Sequence, residues 1–178
     1  MDEHIFRLIY NGAHGSATLL MVGFTLMGSG WTMLALVPLF LTRHRRLAVI
    51  LTSLLAVTAA LVALLKMAVN RARPCEQLAG VRALWGQAPT DPSFPSGHSA
   101  GGFAVALFVV SVMLGEAETR VEAWRWWISG LFLACAACIA LSRVYLGVHF
   151  PADVVAGGLL GAAIGALGGT VYRQSGRP

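Results

Sequence analysis

Charge is scarce in this chain. Asp, Glu, Lys and Arg make up only 12% of its 178 residues, against about a quarter in soluble domains. That shortfall excludes an ordinary soluble fold. A hydrophobic share of 57% and a mean hydropathy of +0.71 point instead to an integral membrane protein. Carboxylates are scarcer still and never cluster, and neither His98 nor His149 has an evident third or fourth partner. No metal-ligand set is therefore expected, nor any other cofactor. Cysteine is limited to Cys75, Cys135 and Cys138. The last two have C-x-x-C spacing but lie among alanines in an apolar run, where small residues serve helix packing better than redox or metal chemistry. A cleavable leader is not expected, because MDEHIFRLIYNGAHG is acidic and mixed rather than basic and then apolar. The net charge of +5 does not imply nucleic acid, since the basic residues punctuate apolar runs instead of forming one face.

Long apolar runs are what the sequence does have. Crossing a bilayer takes about 20 mostly apolar residues, and five stretches qualify: 15–42, 47–65, 96–115, 126–141 and 154–172. The expected fold is all-α, a polytopic transmembrane helical bundle forming one membrane-embedded domain over 1–178. Gly28, Gly30 and Pro38 mark a place where the first span can break or bend. Residues 1–14 are too polar and short to span. Ile5, Leu8, Ile9 and Ala13 fall on one side at helical spacing, which predicts an interfacial amphipathic helix.

Five spans place Arg43, Arg45, Arg46, Arg120, Arg125, Arg173 and Arg177 on one side of the membrane. Arg7, Lys66, Arg71, Arg73, Arg82 and Arg143 fall on the other. The raw totals decide nothing. The RHRR turn and basic C-terminus favour the first side as cytoplasmic, with the N-terminus outside.

On that map three polar clusters share the non-cytoplasmic face. KMAVNRARP spaces Lys66, Asn70 and Arg73 at i, i+4 and i+7, one helical face with two cations, and Pro74 ends the helix. Alone, it reads as readily as a membrane anchor. In SFPSGHS, Ser96 is a plausible N-cap, the amides that follow can bind phosphate, and Gly97 lets oxygens approach. His98 beside them can protonate a leaving oxygen. Taken alone, this reads equally as an ordinary capped helix start. In SRVYLGVHFPAD, Arg143 can clamp phosphate oxygens. Asp153, four residues after His149, can hold one ring nitrogen and leave the other as nucleophile. An interfacial ion pair would explain the last two residues but not Arg143. Together the clusters fit phosphoryl transfer through a phosphohistidine without metal, with the cations stabilising the equatorial oxygens.

The three motifs are Lys66-x6-Arg73-Pro74, Pro95-Ser96-Gly97-His98 and Ser142-Arg143-x5-His149-x3-Asp153. In residue, spacing and order they resemble the signature of the type 2 phosphatidic-acid phosphatase superfamily. That superfamily includes bacterial lipid phosphatases, undecaprenyl pyrophosphate phosphatases and vanadium haloperoxidases. The resemblance spans 66–153, about half the chain. It implies His149 as nucleophile, Asp153 as its orienter, and His98 as first acid and then activator of water. Lys66, Arg73, Ser96, Gly97 and Arg143 would hold the phosphate.

The resemblance also implies a helical bundle, and with the topology above the expected location is a bacterial plasma membrane with the site facing the periplasm or exterior. Familiar members often have six spans; five are expected here, with the chain starting at the amphipathic segment. The substrate would be a lipid phosphate: undecaprenyl pyrophosphate, phosphatidylglycerophosphate, phosphatidic acid or a lipid A phosphate. Val81, Leu84 and Trp85 are plausible contacts for its tails. The competing expectation is a lipid or anion transporter, a flippase that uses the cations to bind headgroups. Spans nearly bare of internal polar residues count against it. A haloperoxidase-like enzyme would be soluble, which this composition is not. Glycines at 157, 161, 165 and 169 predict close helix packing within the chain's own bundle, and oligomeric state is left open.

Overall fold

The computed structural model describes residues 1–12, 15–35, 44–115 and 122–175. Ala13, Pro38, Arg43, Arg120 and Arg177 lie outside the described residues. The fold is all-α. Helix α1 is Asp2–Asn11, α2 Ser16–Met27 and α3 Gly30–Ala35. The chain continues with α4 Arg45–Val69, the short α5 Pro74–Gln77, α6 Gly97–Gly115, α7 Ala123–Tyr145 and α8 Pro151–Gln174. Four of these, α4, α6, α7 and α8, are long and apolar enough to cross a membrane, while α2 is a shorter apolar helix.

The first expected span is broken. Its helix stops at Met27 and restarts at Gly30, and Thr32 Oγ1 donates to the Leu26 carbonyl at 2.7 Å across the gap. Gly28 sits at the break for a packing reason: a Cβ there would collide with the Ile139 side chain, 2.4 Å away on an ideal backbone but without room to exist. The chain therefore approaches α7 closely where it changes direction.

Helices α6 and α8 form the most extensively packed pair. Gly157, Gly161 and Gly165 of α8 lie against the backbone of Ser96, just before α6, and of Ala100 and Ala104 within it, so any side chain there would meet a carbonyl. The glycine face is thus spent inside the chain's own bundle. Its upper end fixes the register of the site, where the Ser96 amide donates to the Asp153 carbonyl at 3.0 Å. Ala104 and Phe108 of α6 also pack with Ala48, Leu51 and Leu54 of α4 in one buried cluster.

Helix α1 forms, and the side it packs against the protein is not the Ile5–Leu8 side that the spacing singles out. Ile5 and Leu8 are exposed, whereas Phe6 is fully buried against Val81, Val144 and Phe150, with Ile9 and Tyr10 beside it. The helix has a protein to dock on as well as an interface to lie in, so its largest aromatic side chain turns to the protein. Val81 is buried in the same cluster and Leu84 packs against Val22, Tyr145 and Leu146. Of the three residues expected to touch lipid tails, only Trp85 is exposed.

Candidate active site

Helix α4 ends one turn earlier than its sequence pattern predicts. Asn70 takes a left-handed φ of 45° as its C-cap and donates its amide to the Lys66 carbonyl at 2.9 Å. Asn70 is exposed and Arg73 lies beyond the helix, so Lys66, Asn70 and Arg73 do not share a helical face. Pro74 does not end that helix; it opens α5. The two cations nonetheless converge. Lys66 Nζ is 2.8 Å from Asp91 Oδ2, and Arg73 Nη2 is 2.8 Å from Asp91 Oδ1. Burial alone would raise the carboxyl of Asp91, but the Lys66 hydrogen bond and the Arg73 charge hold it below the usual carboxylate range.

Ser96 caps α6, its Oγ accepting the Ser99 amide at 3.4 Å. The first-turn amides that follow, from Gly97 and His98, have no partner within their own helix. His98 lies within electrostatic reach of Arg143, His149 and Arg73. It also lines an apolar cavity of about 450 Å³ with Lys66, Gly97, Met33, Leu55 and Val62. That cavity lies between α3 and α4 and runs from the site into the bundle.

Every residue from Ser142 to Phe150 is buried. Gly147 makes the reversal between α7 and α8 possible. Its φ is 80°, and a Cβ there would lie 2.6 Å from the Arg82 carbonyl oxygen. Beyond it the amides of Val148 and His149 both return to the Arg143 carbonyl at 3.2 Å, which sets the histidine beside the arginine. Arg143 Nη1 donates to Thr25 Oγ1 of α2, and its Nε has no partner among the described residues. Pro151 occupies the first turn of α8, and Asp153 reaches back from that turn to accept the Phe150 amide at 2.8 Å.

These constraints meet at His149. Arg73 Nη1 lies 3.2 Å from His149 Nε2 and donates to the Val148 carbonyl at 2.8 Å. A guanidinium can only donate, so Nε2 is the lone-pair nitrogen and Nδ1 carries the proton. Nδ1 faces Ser93 Oγ at 3.4 Å and Asp153 Oδ2 at 3.5 Å, while the Ser93 hydroxyl donates a short hydrogen bond to that same oxygen. Burial pushes His149 down to about 4, and Arg73 and Arg143 add to the effect against the opposing pull of Asp153. The ring is therefore neutral at pH 7, the form a nucleophile needs.

A family model described as the PAP2 superfamily matches residues 46–177. The chain belongs to the PAP2 superfamily. A decaprenylphosphoryl-5-phosphoribose phosphatase of Mycobacterium tuberculosis is 35% identical over 141 residues, 78% of this chain and 69% of that protein. The crystal structure of a transmembrane PAP2 type phosphatidylglycerolphosphate phosphatase from Bacillus subtilis aligns with a TM-score of 0.81 at 25% identity. That alignment covers 99% of this chain and 86% of that one. Aquifex aeolicus LpxE aligns with a TM-score of 0.73 at 28% identity, over 97% and 94% of the two chains. This PAP2 chain is an integral membrane lipid phosphate phosphatase.

Several residues around the PAP2 motifs were not legible from spacing. Asp91 and Ser93 lie just upstream of Pro95, where an acid and a hydroxyl before a proline read as loop residues. Arg71 stands between two motif cations and looks like a third. Asp2 and Thr25 come from segments that carry no motif at all.

Proposed function

We propose that this PAP2 enzyme removes a phosphate from a lipid headgroup by passing it through His149 Nε2. Attack by that lone pair forms an N–P bond and breaks the bond from phosphorus to the leaving oxygen, which takes its proton from His98. Water activated by His98 then attacks the phosphohistidine, releasing phosphate and the free ring. Asp153 holds the Nδ1 proton throughout. Lys66, Arg73, Arg143 and the amides after Ser96 stabilise charge on the equatorial oxygens.

The observation that carries this reading is the orientation of a buried, neutral His149, its lone-pair nitrogen against Arg73. The buried Arg143 Nε, without a protein partner among the described residues, supports an anionic ligand at the same place. The apolar cavity below Lys66 and His98 supports a lipid substrate, with the headgroup at the site and a tail between α3 and α4. The non-cytoplasmic placement of the site rests on Arg45, Arg46 and Arg173 at the opposite end of the bundle.

The substrates consistent with this site are undecaprenyl pyrophosphate, phosphatidylglycerophosphate, phosphatidic acid and lipid A phosphates. Phosphate release from these four in detergent, with EDTA present throughout, ranks them and tests the chemistry together. Turnover of at least one is expected to persist in EDTA and to be inhibited by vanadate. Abolition by EDTA refutes the metal-free mechanism, and full activity in His149→Ala refutes the nucleophile.

A further inference from the structure

The carboxylate of Asp153 is fully buried and its two oxygens serve different partners. Oδ2 collects the Phe150 amide, the Ser93 hydroxyl and the His149 ring. Oδ1 accepts Arg71 Nη1 at 2.7 Å. The same guanidinium donates from Nη2 to Asp2 Oδ2 at 2.6 Å and lies over the Phe150 ring, 4.1 Å from its centroid. Asp2 Oδ1 in turn accepts the Ala152 amide at 2.9 Å, in the first turn of α8. Asp2 belongs to α1, which is anchored by buried Phe6 and by a 3.1 Å hydrogen bond from Tyr10 Oη to the Arg82 carbonyl.

We propose that Arg71, held by Asp2 of α1, is a positioning residue for the hydrolysis. It locks the carboxylate of Asp153 in the plane that presents Oδ2 to His149, and it balances that carboxylate's charge. The N-terminal helix is thereby a working part of the site and not only an interfacial anchor. This rests on the reading of His149 as nucleophile.

The physical reason is charge. A buried carboxylate with one oxygen unpaired pulls a proton onto the nearest base. Here that base is His149, and a protonated ring cannot attack phosphorus. The planar fork of arginine satisfies both carboxylates at once, and stacking on Phe150 fixes its plane. Lysine supplies the charge without the fork. The other groups facing His149 are Arg73 from the segment after α4, His98 from α6 and Arg143 from α7.

The test is steady-state kinetics of the full chain in detergent across a pH series, for Arg71→Gln, Arg71→Lys, Asp2→Ala and the double variant Asp2→Ala/Arg71→Gln. Arg71→Gln is expected to lower kcat by about 10-fold or more with KM little changed, and to move the acid limb of kcat/KM to higher pH. Arg71→Lys restores the limb but only part of kcat. Asp2→Ala lowers kcat by about 3-fold or more, and the double variant is no worse than Arg71→Gln alone. A purely structural contribution would add in the double variant and leave the limb in place, which overturns the proposal. If Arg71→Gln does not fold, Arg71→Lys and Asp2→Ala decide: wild-type kcat in both overturns it. His149→Ala is run alongside. An inert His149→Ala with wild-type Arg71→Gln removes the positioning role alone, whereas an active His149→Ala removes the nucleophile reading and this inference with it.

Discussion

Arg73 donates toward His149 Nε2 at 3.2 Å, so the residue expected to hold phosphate also marks the nitrogen expected to attack it. An incoming phosphate oxygen would meet the guanidinium as phosphorus meets the lone pair. The same contact holds the ring in its neutral form. Burial, Arg73 and Arg143 together keep His149 at about 4, against an ordinary value of 6.5.

The sign of the resulting pH dependence follows directly. In the proposed mechanism neutral His149 is the reactive form, so lowering its pKa preserves it as pH falls. The enzyme's own contribution to kcat/KM should stay level through pH 6.5 and decline only toward about 4. The measurement is kcat/KM against pH, with the substrate's phosphate ionisation determined separately and removed. An enzyme limb near the ordinary histidine value would contradict the buried, neutral ring.

Ser93 gives a second expectation. Asp153 Oδ2 stands 3.5 Å from Nδ1, too far for a strong bond, and Ser93 Oγ stands 3.4 Å from the same nitrogen while donating to that carboxylate. The serine therefore shares the orienting task. Losing a hydrogen bond to a charged group costs about 1.5–3 kcal/mol, or about 10- to 100-fold in rate if it is made in the transition state. Ser93→Ala should lower kcat within that range and leave KM nearly unchanged. An unaltered kcat would assign the orientation to Asp153 alone.

Local spacing made much of this site legible. His149, Pro151 and Asp153 are close in the chain, and a helix start places them without help from elsewhere. The glycine repeat of α8 likewise announced a close contact, because a four-residue period is one helical face. What escaped was set by long-range packing. Lys66, Asn70 and Arg73 have the spacing of a face, but the helix ends at Val69 and a left-handed cap redirects the chain. Periodicity cannot register such an end when apolar residues run up to it. Helix α1 was recognisable, yet its buried Phe6 was not among the residues of its expected face, since an amphipathic segment with both lipid and protein to contact has two apolar sides. The Asp2–Arg71–Asp153 contacts join positions with no sequence relationship, and only the folded chain brings them together.

Asp91 bridges Lys66 and Arg73 with its two carboxylate oxygens, 2.8 Å from each cation. A phosphate held by those cations must compete with it. The aspartate is half exposed, so water screens its pull on the two largely buried cations. Replacing it should therefore strengthen anion binding only modestly. Asp91→Asn is expected to tighten inhibition by vanadate by about 2- to 5-fold. Inhibition constants for vanadate and for inorganic phosphate, compared with wild type, check this. Weaker inhibition by both would mean that Asp91 orients the cations for the ligand instead of competing with it.

Gly161 tests how the bundle holds the site. A Cβ at this position would overlap the carbonyl of Ala100, a backbone group that cannot rotate aside. Even alanine must therefore push α8 away from α6. The displacement would be felt at the upper end of the same pair, where the Ser96 amide meets the Asp153 carbonyl at 3.0 Å. Overpacking of this kind costs about 1–3 kcal/mol, so Gly161→Ala should lower both thermal stability in detergent and kcat, and Gly161→Leu should prevent folding. Gly130 of α7 provides the control, because nothing among the described residues lies within 4 Å of a Cβ added there. Gly130→Ala should be neutral or slightly stabilising through helix propensity. Equal behaviour of the two alanine variants, in unfolding temperature and in activity, would show that the glycine contact does not hold the catalytic residues in register.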